Sequence, residues 1–178
     1  MTNFAPATGA QKATLIVAAL KRAGIDLIAT LPDAWLGDLL TACDSDPTMT
    51  VLRVTREDEG IGICAGAFLG GRRGALIAQN AGLLLSANVL AAIAMHHQIP
   101  LLLLLAQRGG PDDDQYYQIY KGRVTVPVAN ALGLPCHLLK GPDDYPLIEG
   151  AARQAYLARI PVVVLMTRAA LLGGGEKP

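Results

Sequence analysis

Three consecutive carboxylates, Glu57, Asp58 and Glu59, stand between Thr55-Arg56 and the small-residue run Gly60-Ile61-Gly62-Ile63-Cys64-Ala65-Gly66-Ala67. Carboxylates so placed have two kinds of use. They can transfer protons as general acids or bases. They also complement the positive end of a helix dipole, with Thr55 as the capping residue. The glycines bear on the choice, because each weakens a helix by roughly 1 kcal/mol and is tolerated best where something packs close. Gly60, Gly62 and Gly66 are therefore expected to face a neighbouring backbone or a flat cofactor ring. A second group, Gln79-Asn80-Ala81-Gly82, offers two amides and a flexible glycine, and reads equally as a tight turn.

These groups need elements to position them, and the chain supplies a regular alternation. Aliphatic runs of strand length occur at Asp26 to Leu31, Thr50 to Thr55, Gly74 to Gln79, Pro100 to Ala106, Pro135 to Leu139 and Pro161 to Met166. Helical patterns lie around them at Thr8 to Ala23, Trp35 to Cys43, Asp58 to Gly71, Leu84 to His97, Val124 to Leu132 and Asp143 to Ala158. The strands are continuous apolar runs rather than alternating ones, which implies burial on both faces and a parallel sheet between helices. The expected fold is a three-layer α/β (αβα) domain with a six-stranded, mainly parallel sheet, spanning 1–172, with a flexible tail at 173–178.

In such folds ligands sit beyond the carboxyl ends of the strands. Both polar groups fall there, as do Leu31-Pro32-Asp33-Ala34, Lys140-Gly141-Pro142 and a long connection from Gln107 to Lys121. His96-His97 precedes the strand at Pro100 and belongs at the opposite edge.

The composition excludes several classes. Fifteen basic residues balance fifteen acidic ones, so no summed field recruits nucleic acid or an anionic membrane. Apolar residues are 52% of the chain with only 4% aromatic, an aliphatic surplus suited to a subunit interface as well as a core. Cys43, Cys64 and Cys136 have no metal-ligand or Cys-x-x-Cys spacing and suggest a reduced, cytoplasmic protein. The longest apolar runs fall short of the roughly 20 residues that cross a bilayer. No Gly-x-Gly-x-x-Gly or P-loop follows the first strand, which argues against a nucleotide-binding module.

The run from Thr55 to Gly71, followed by Gln79-Asn80-Ala81-Gly82, resembles the pyrimidine-binding domain of thiamine diphosphate enzymes. Within that family it is similar to the sulfopyruvate decarboxylase alpha subunit and the N-terminal part of phosphonopyruvate decarboxylase. Leu31-Pro32-Asp33, the junction Arg108-Gly109 and Lys121-Gly122-Arg123-Val124-Thr125 extend the likeness from about Asp26 to beyond Thr125.

The resemblance implies that Glu57, matched without a gap through the glycines, hydrogen-bonds N1' of the cofactor's aminopyrimidine and favours its imino tautomer. A carboxylate of elevated pKa in a dry pocket suits that task. It further implies cofactor contacts at Pro32, Asn80 and Gly82, and substrate contacts at Asp33, Arg108, Gln118 and Arg123. Guanidinium groups suit a sulfonate or phosphonate, which they bind through paired hydrogen bonds. For Arg108 a salt bridge with Asp112, Asp113 or Asp114 is the ordinary alternative. The triple aspartate itself reads as solvated loop.

Such enzymes also need a diphosphate domain with a Gly-Asp-Gly motif that holds magnesium. None occurs here, and Gly37-Asp38 falls on an expected helix. The implied partner is a separate diphosphate-binding beta subunit carrying the Mg2+, with self-association of the complex, and no metal site of this chain's own. The expected activity is decarboxylation of an anionic 2-oxo acid such as sulfopyruvate or phosphonopyruvate. Carboligation of the acetolactate synthase kind and a non-catalytic regulatory subunit are the alternatives. Two departures from the family pattern stand out: Gly82-Leu83-Leu84-Leu85 replaces Gly-Leu-Gly-Asn, and Ala34 replaces a common Ser.

Overall fold

A computed structural model describes residues 7–173. Six parallel strands form one sheet in the order β2-β1-β3-β4-β6-β5. They are β1 Leu27–Thr30, β2 Thr50–Arg53, β3 Gly74–Gln79, β4 Leu101–Ala106, β5 Cys136–Leu139 and β6 Pro161–Met166. The helices are α1 Gly9–Arg22, α2 Gly37–Ser45, α3 Glu57–Leu69, α4 Ala81–Val89, α5 Ile119–Ala131, α6 Pro146–Ala158 and the short α7 Arg168–Leu171. The expected three-layer α/β fold is what forms. The tail expected at 173–178 lies, beyond Gly173, outside the described residues.

The central strands are sealed on both faces. Alternation along β4 sends Leu102, Leu104 and Ala106 into one apolar cluster with α1, α2 and α6, and Leu101, Leu103 and Leu105 into a second with α3, α4 and α5. Continuous leucine is the sequence consequence of filling both. The edge strands depart from that pattern, since β2 has no fully buried residue and β5 only Leu139. An edge strand has a neighbour on one side alone, and the helical layers thin out over it.

Helix boundaries follow local signals where those are strong. Thr8 caps α1 through a reciprocal pair, Gln11 N donating to Thr8 Oγ1 at 3.3 Å and Thr8 N to Gln11 Oε1 at 2.9 Å. The expected helix at Leu84 to His97 instead starts at Ala81 and continues past Val89 as a wider π turn, Leu90–Met95. The expected helix at Val124 starts five residues earlier, at Ile119, after a 3-10 turn at Tyr116–Gln118. The irregular part of the Gln107 to Lys121 connection is therefore much shorter than its sequence suggests. Tyr116, Tyr117, Ile119 and Tyr120 conceal the early start because all four are exposed and interrupt the amphipathic pattern.

Chain direction reverses across the sheet between β1 and β3: β2 is added on one side of β1, then β3 on the other. The connections leaving β1 and β3 consequently diverge and open a crevice at their carboxyl ends. Over it lies α3, seated against the sheet at Gly60, where a Cβ would come 2.6 Å from Leu76 Cδ1 and 3.3 Å from Ala29 Cβ.

Candidate functional site

The three carboxylates at the start of α3 have different fates. The N-cap is Arg56, not Thr55. Glu59 folds back so that its Oε2 accepts from Thr55 N at 2.9 Å, Thr55 Oγ1 at 3.0 Å and Arg56 N at 3.3 Å. Asp58 pairs with Arg56, accepting from Nε at 3.1 Å and Nη2 at 2.8 Å. Donors such as these stabilise the charged form, so Asp58, chiefly through Arg56, and Glu59, chiefly through Thr55 N–H, are held below their ordinary pKa. Both are thereby accounted for as capping groups.

Glu57 points the other way. It is 5% exposed, and among the described residues its carboxylate has no hydrogen-bond or ion-pair partner. Its side chain lies against Gly82 in the first turn of α4, where a Cβ would come 2.6 Å from Glu57 Cγ and 3.1 Å from Cδ. Only glycine leaves room for the glutamate to lie there.

Within this chain Gly60 meets the expectation that the α3 glycines face something close. Added Cβ atoms at Gly62 and Gly66 would meet nothing within 4 Å in this chain, and both residues are exposed.

Asn80, fully buried at the end of β3, works as a strut. Its Nδ2 donates to Arg108 O at 3.1 Å and to Thr125 Oγ1 at 3.0 Å, tying β3, β4 and α5 together, while its Oδ1 is buried without a partner. Gln118 is 3% exposed and donates from Nε2 to Gln79 Oε1 at 3.0 Å, leaving its own Oε1 buried and unpartnered.

Arg108 sits deeper than a surface salt bridge. It is 4% exposed, donates from Nη1 to both oxygens of Asp33 at 2.8–3.0 Å, and from Nε and Nη2 to Asp113 at 2.8 and 3.0 Å. Its guanidinium also lies over Trp35, 4.4 Å from the ring centroid. Burial works against the charge on both Arg108 and Asp113, but their mutual hydrogen bonds prevail, raising the arginine's pKa and lowering the aspartate's. The reading of the triple aspartate as solvated loop is corrected at Asp113, whose side chain is 1% exposed, while Asp112 and Asp114 are exposed as expected.

Sequence reasoning passed over a close crossing of two chain segments. Gly109, with φ +82°, and Gly122 bring the exit of β4 against the start of α5, such that a Cβ on Gly122 would come 2.7 Å from Arg108 O. The signal was the spacing of Arg108-Gly109 and Lys121-Gly122-Arg123, each a glycine beside a cation.

The remaining expected site residues lie further out. Pro32 is exposed on the β1 exit, and Arg123 is exposed on α5 with its guanidinium 6.0 Å from the Tyr120 ring centroid. His96 and His97 precede β4, at the amino edge of the sheet away from Glu57. Burial raises the thiol pKa of Cys43 and Cys64 to about 12, which suppresses thiolate chemistry. Among the described residues no group of three or more His, Cys, Asp or Glu side chains is arranged to hold a metal, and no helix is long and apolar enough to cross a membrane.

No family profile matches the chain. It is 34% identical over 149 residues to the sulfopyruvate decarboxylase subunit alpha of Methanococcus maripaludis, covering 83% of this chain and 89% of that one. It is 32% identical over 146 residues to the phosphonopyruvate decarboxylase of Streptomyces viridochromogenes, covering 80% of this chain but only 36% of that protein. Among solved structures, 2-oxoglutarate:ferredoxin oxidoreductase from Magnetococcus marinus superposes with a TM-score of 0.71 at 18% identity, over 93% of this chain and 30% of the other. That likeness shows the fold.

Proposed function

The chain belongs to the family of sulfopyruvate decarboxylase alpha subunits, and from that premise we propose that it is the aminopyrimidine-holding half of a thiamine diphosphate-dependent 2-oxo acid decarboxylase. The observation that carries this reading is Glu57: a glutamate only 5% exposed, packed on Gly82 at a strand-crevice edge, with no partner among the described residues. Burying such a group is costly unless something pairs with it. An aminopyrimidine ring nitrogen is a fitting partner, because it needs a carboxylate to share a proton with and a flat space to lie in.

In this reading Glu57 holds and moves the proton at the ring nitrogen, and Gly82 clears the space beside it. Asn80 fixes the α4 start from behind, and Pro32 borders the crevice on the β1 side. Thiamine diphosphate held by Glu57 and Gly82 would supply the nucleophile for a 2-oxo group and the electron sink for loss of carbon dioxide.

Asp33 and Arg108 serve the substrate side by fixing the connection that carries Gln118. The solvent-exposed guanidinium of Arg123 offers paired donors to a sulfonate or phosphonate. The diphosphate and its Mg2+ belong to a second, beta-type chain, with at least two copies of each subunit in a cytoplasmic complex. The relatives' designation as alpha subunits supports a divided architecture.

Reconstitution with the partner subunit tests this. Glu57→Gln is expected to bind the partner and lose at least about a hundredfold of its carbon dioxide release from sulfopyruvate or phosphonopyruvate; unchanged turnover would sink the catalytic role.

A further inference from the structure

The edge of the sheet opposite Glu57 carries a second concavity of about 430 Å3, within the roughly 300–1,000 Å3 of small-molecule sites. It lies where α1 ends, β3 begins and α6 passes, and Arg22, Arg73, Arg153, Glu149 and Tyr156 line it. All three arginines are open to solvent and so within reach of a ligand.

Arg73 is fixed on three sides. Its Nη1 donates to Ala23 O at 3.0 Å, and its guanidinium carbon lies 4.3 Å from the centroid of the Tyr156 ring. Its Cδ passes Gly24, 3.5 Å from where a Cβ would stand, and Gly24 has φ +75°, in the left-handed region that favours glycine.

None of these contacts neutralises it. Elsewhere Arg53, Arg56, Arg72 and Arg108 are each matched by an aspartate. Among the described residues Arg73 has no carboxylate partner, and Arg153 has neither a hydrogen-bond nor an ion-pair partner. Arg22 donates from Nε to Glu149 Oε1 at 2.7 Å, which leaves its two terminal nitrogens without a bond. Three guanidiniums and one carboxylate leave a local charge of +2, in a chain whose formal net charge is zero.

Guanidiniums that are oriented and not neutralised attract an anion, and the amount of charge selects which. A carboxylate or a sulfonate carries one negative charge. A phosphate monoester carries about −1.5 to −2 at neutral pH, on three acceptor oxygens. Of these, the monoester offsets the local charge, and forked N–H donors bind its oxygens in pairs. Leu157, 79% exposed on the rim, offers an apolar surface to the organic part of such an ester.

We propose that this concavity binds a small phosphate monoester, with Arg73 and Arg153 as its principal donors. The site goes beyond the decarboxylase reading and does not depend on it. It lies at the amino edge of the sheet, whereas Glu57, Arg108 and Arg123 belong to the carboxyl edge.

Calorimetric titration of the full chain tests this, with methyl phosphate, methanesulfonate and acetate as probes at about pH 8, where the monoester is a dianion. Methyl phosphate is expected to bind at least about tenfold more tightly than either of the others. Arg73→Met and Arg153→Met should each weaken it about tenfold to a hundredfold, the range of one charge-assisted hydrogen bond. Arg153 holds no other group in place, so its variant decides the matter even if Arg73→Met fails to fold. Arg123→Ala, at the far edge, should leave the affinity within about twofold.

No binding of methyl phosphate, or equal affinity for the three anions, overturns the site. So does a loss of binding in Arg123→Ala that Arg153→Met does not share. None of these outcomes bears on Glu57 or on carbon dioxide release.

Discussion

Glu57 and Arg108 lie at the same edge of one sheet and are almost equally buried, at 5% and 4% exposed, but they keep different company. Arg108 is surrounded by acceptors. The two carboxylates that hold it are themselves completed, Asp113 by Gly109 N at 2.9 Å and Gln115 N at 3.1 Å, and Asp33 by Trp35 N at 3.0 Å. Glu57 has no such set, and Asn80, two residues before the Gly82 that Glu57 packs on, keeps a buried Oδ1 without a partner. A cluster whose polar groups satisfy one another needs nothing further and serves as scaffold. A cluster left incomplete is where a ligand supplies the missing partners.

Changes on the two sides should therefore separate activity from stability. The largest effect is expected at Glu57→Gln: turnover of the reconstituted complex should fall about 10²- to 10⁴-fold, the span of acid–base catalysis. Its thermal midpoint should match the unaltered chain or exceed it. A large loss of stability there would dissolve the contrast.

Next comes Arg108→Met, which strands Asp33 and Asp113 and should cost about 3–5 kcal/mol in denaturant unfolding. Gly82→Ala probes the seam between the regions. Its Cβ must displace the Glu57 side chain, so about 1–3 kcal/mol of stability is expected to go, together with measurable thiamine diphosphate affinity in calorimetry.

The pH dependence sharpens the scaffold side. The folded state holds the pKa of Asp113 below its ordinary value, so its stabilising contribution is complete above the unfolded-state value, about 4, and is lost as pH falls through the lower folded value. Asp113→Asn should be less stable at neutral pH and lose less on acidification below about pH 4, as followed by circular dichroism. The smallest effect is expected at exposed Arg123. Arg123→Ala should change stability by no more than about 0.5 kcal/mol, while raising KM for a sulfonated or phosphonated substrate.

The elements were legible wherever their signals are local. β3 and β6 match their aliphatic runs to the residue, and α1 starts at its capping pair. Local reading fell short at the start of α5, whose exposed tyrosines break the amphipathic pattern, and at the edge strands, which no sequence run distinguishes from central ones. In the triple aspartate, nothing in the neighbouring residues marks Asp113 as the buried one, because its burial depends on Arg108 and on the backbone of Gly109 and Gln115.

The sequence by itself determined a doubly covered parallel sheet, since period and composition encode which faces are dry. Through resemblance it also singled out Glu57, of the three carboxylates, as the one expected to meet a cofactor ring. Tertiary structure alone decided that Glu59 and Asp58 complete the cap while Glu57 is left without a partner. It likewise joined Gln79 to Gln118 and enclosed Arg108 between Asp33 and Asp113. The reason is physical: an element's face depends on residues three or four positions away, but a hydrogen-bond partner depends on where remote segments arrive once the strand order β2-β1-β3-β4-β6-β5 has closed.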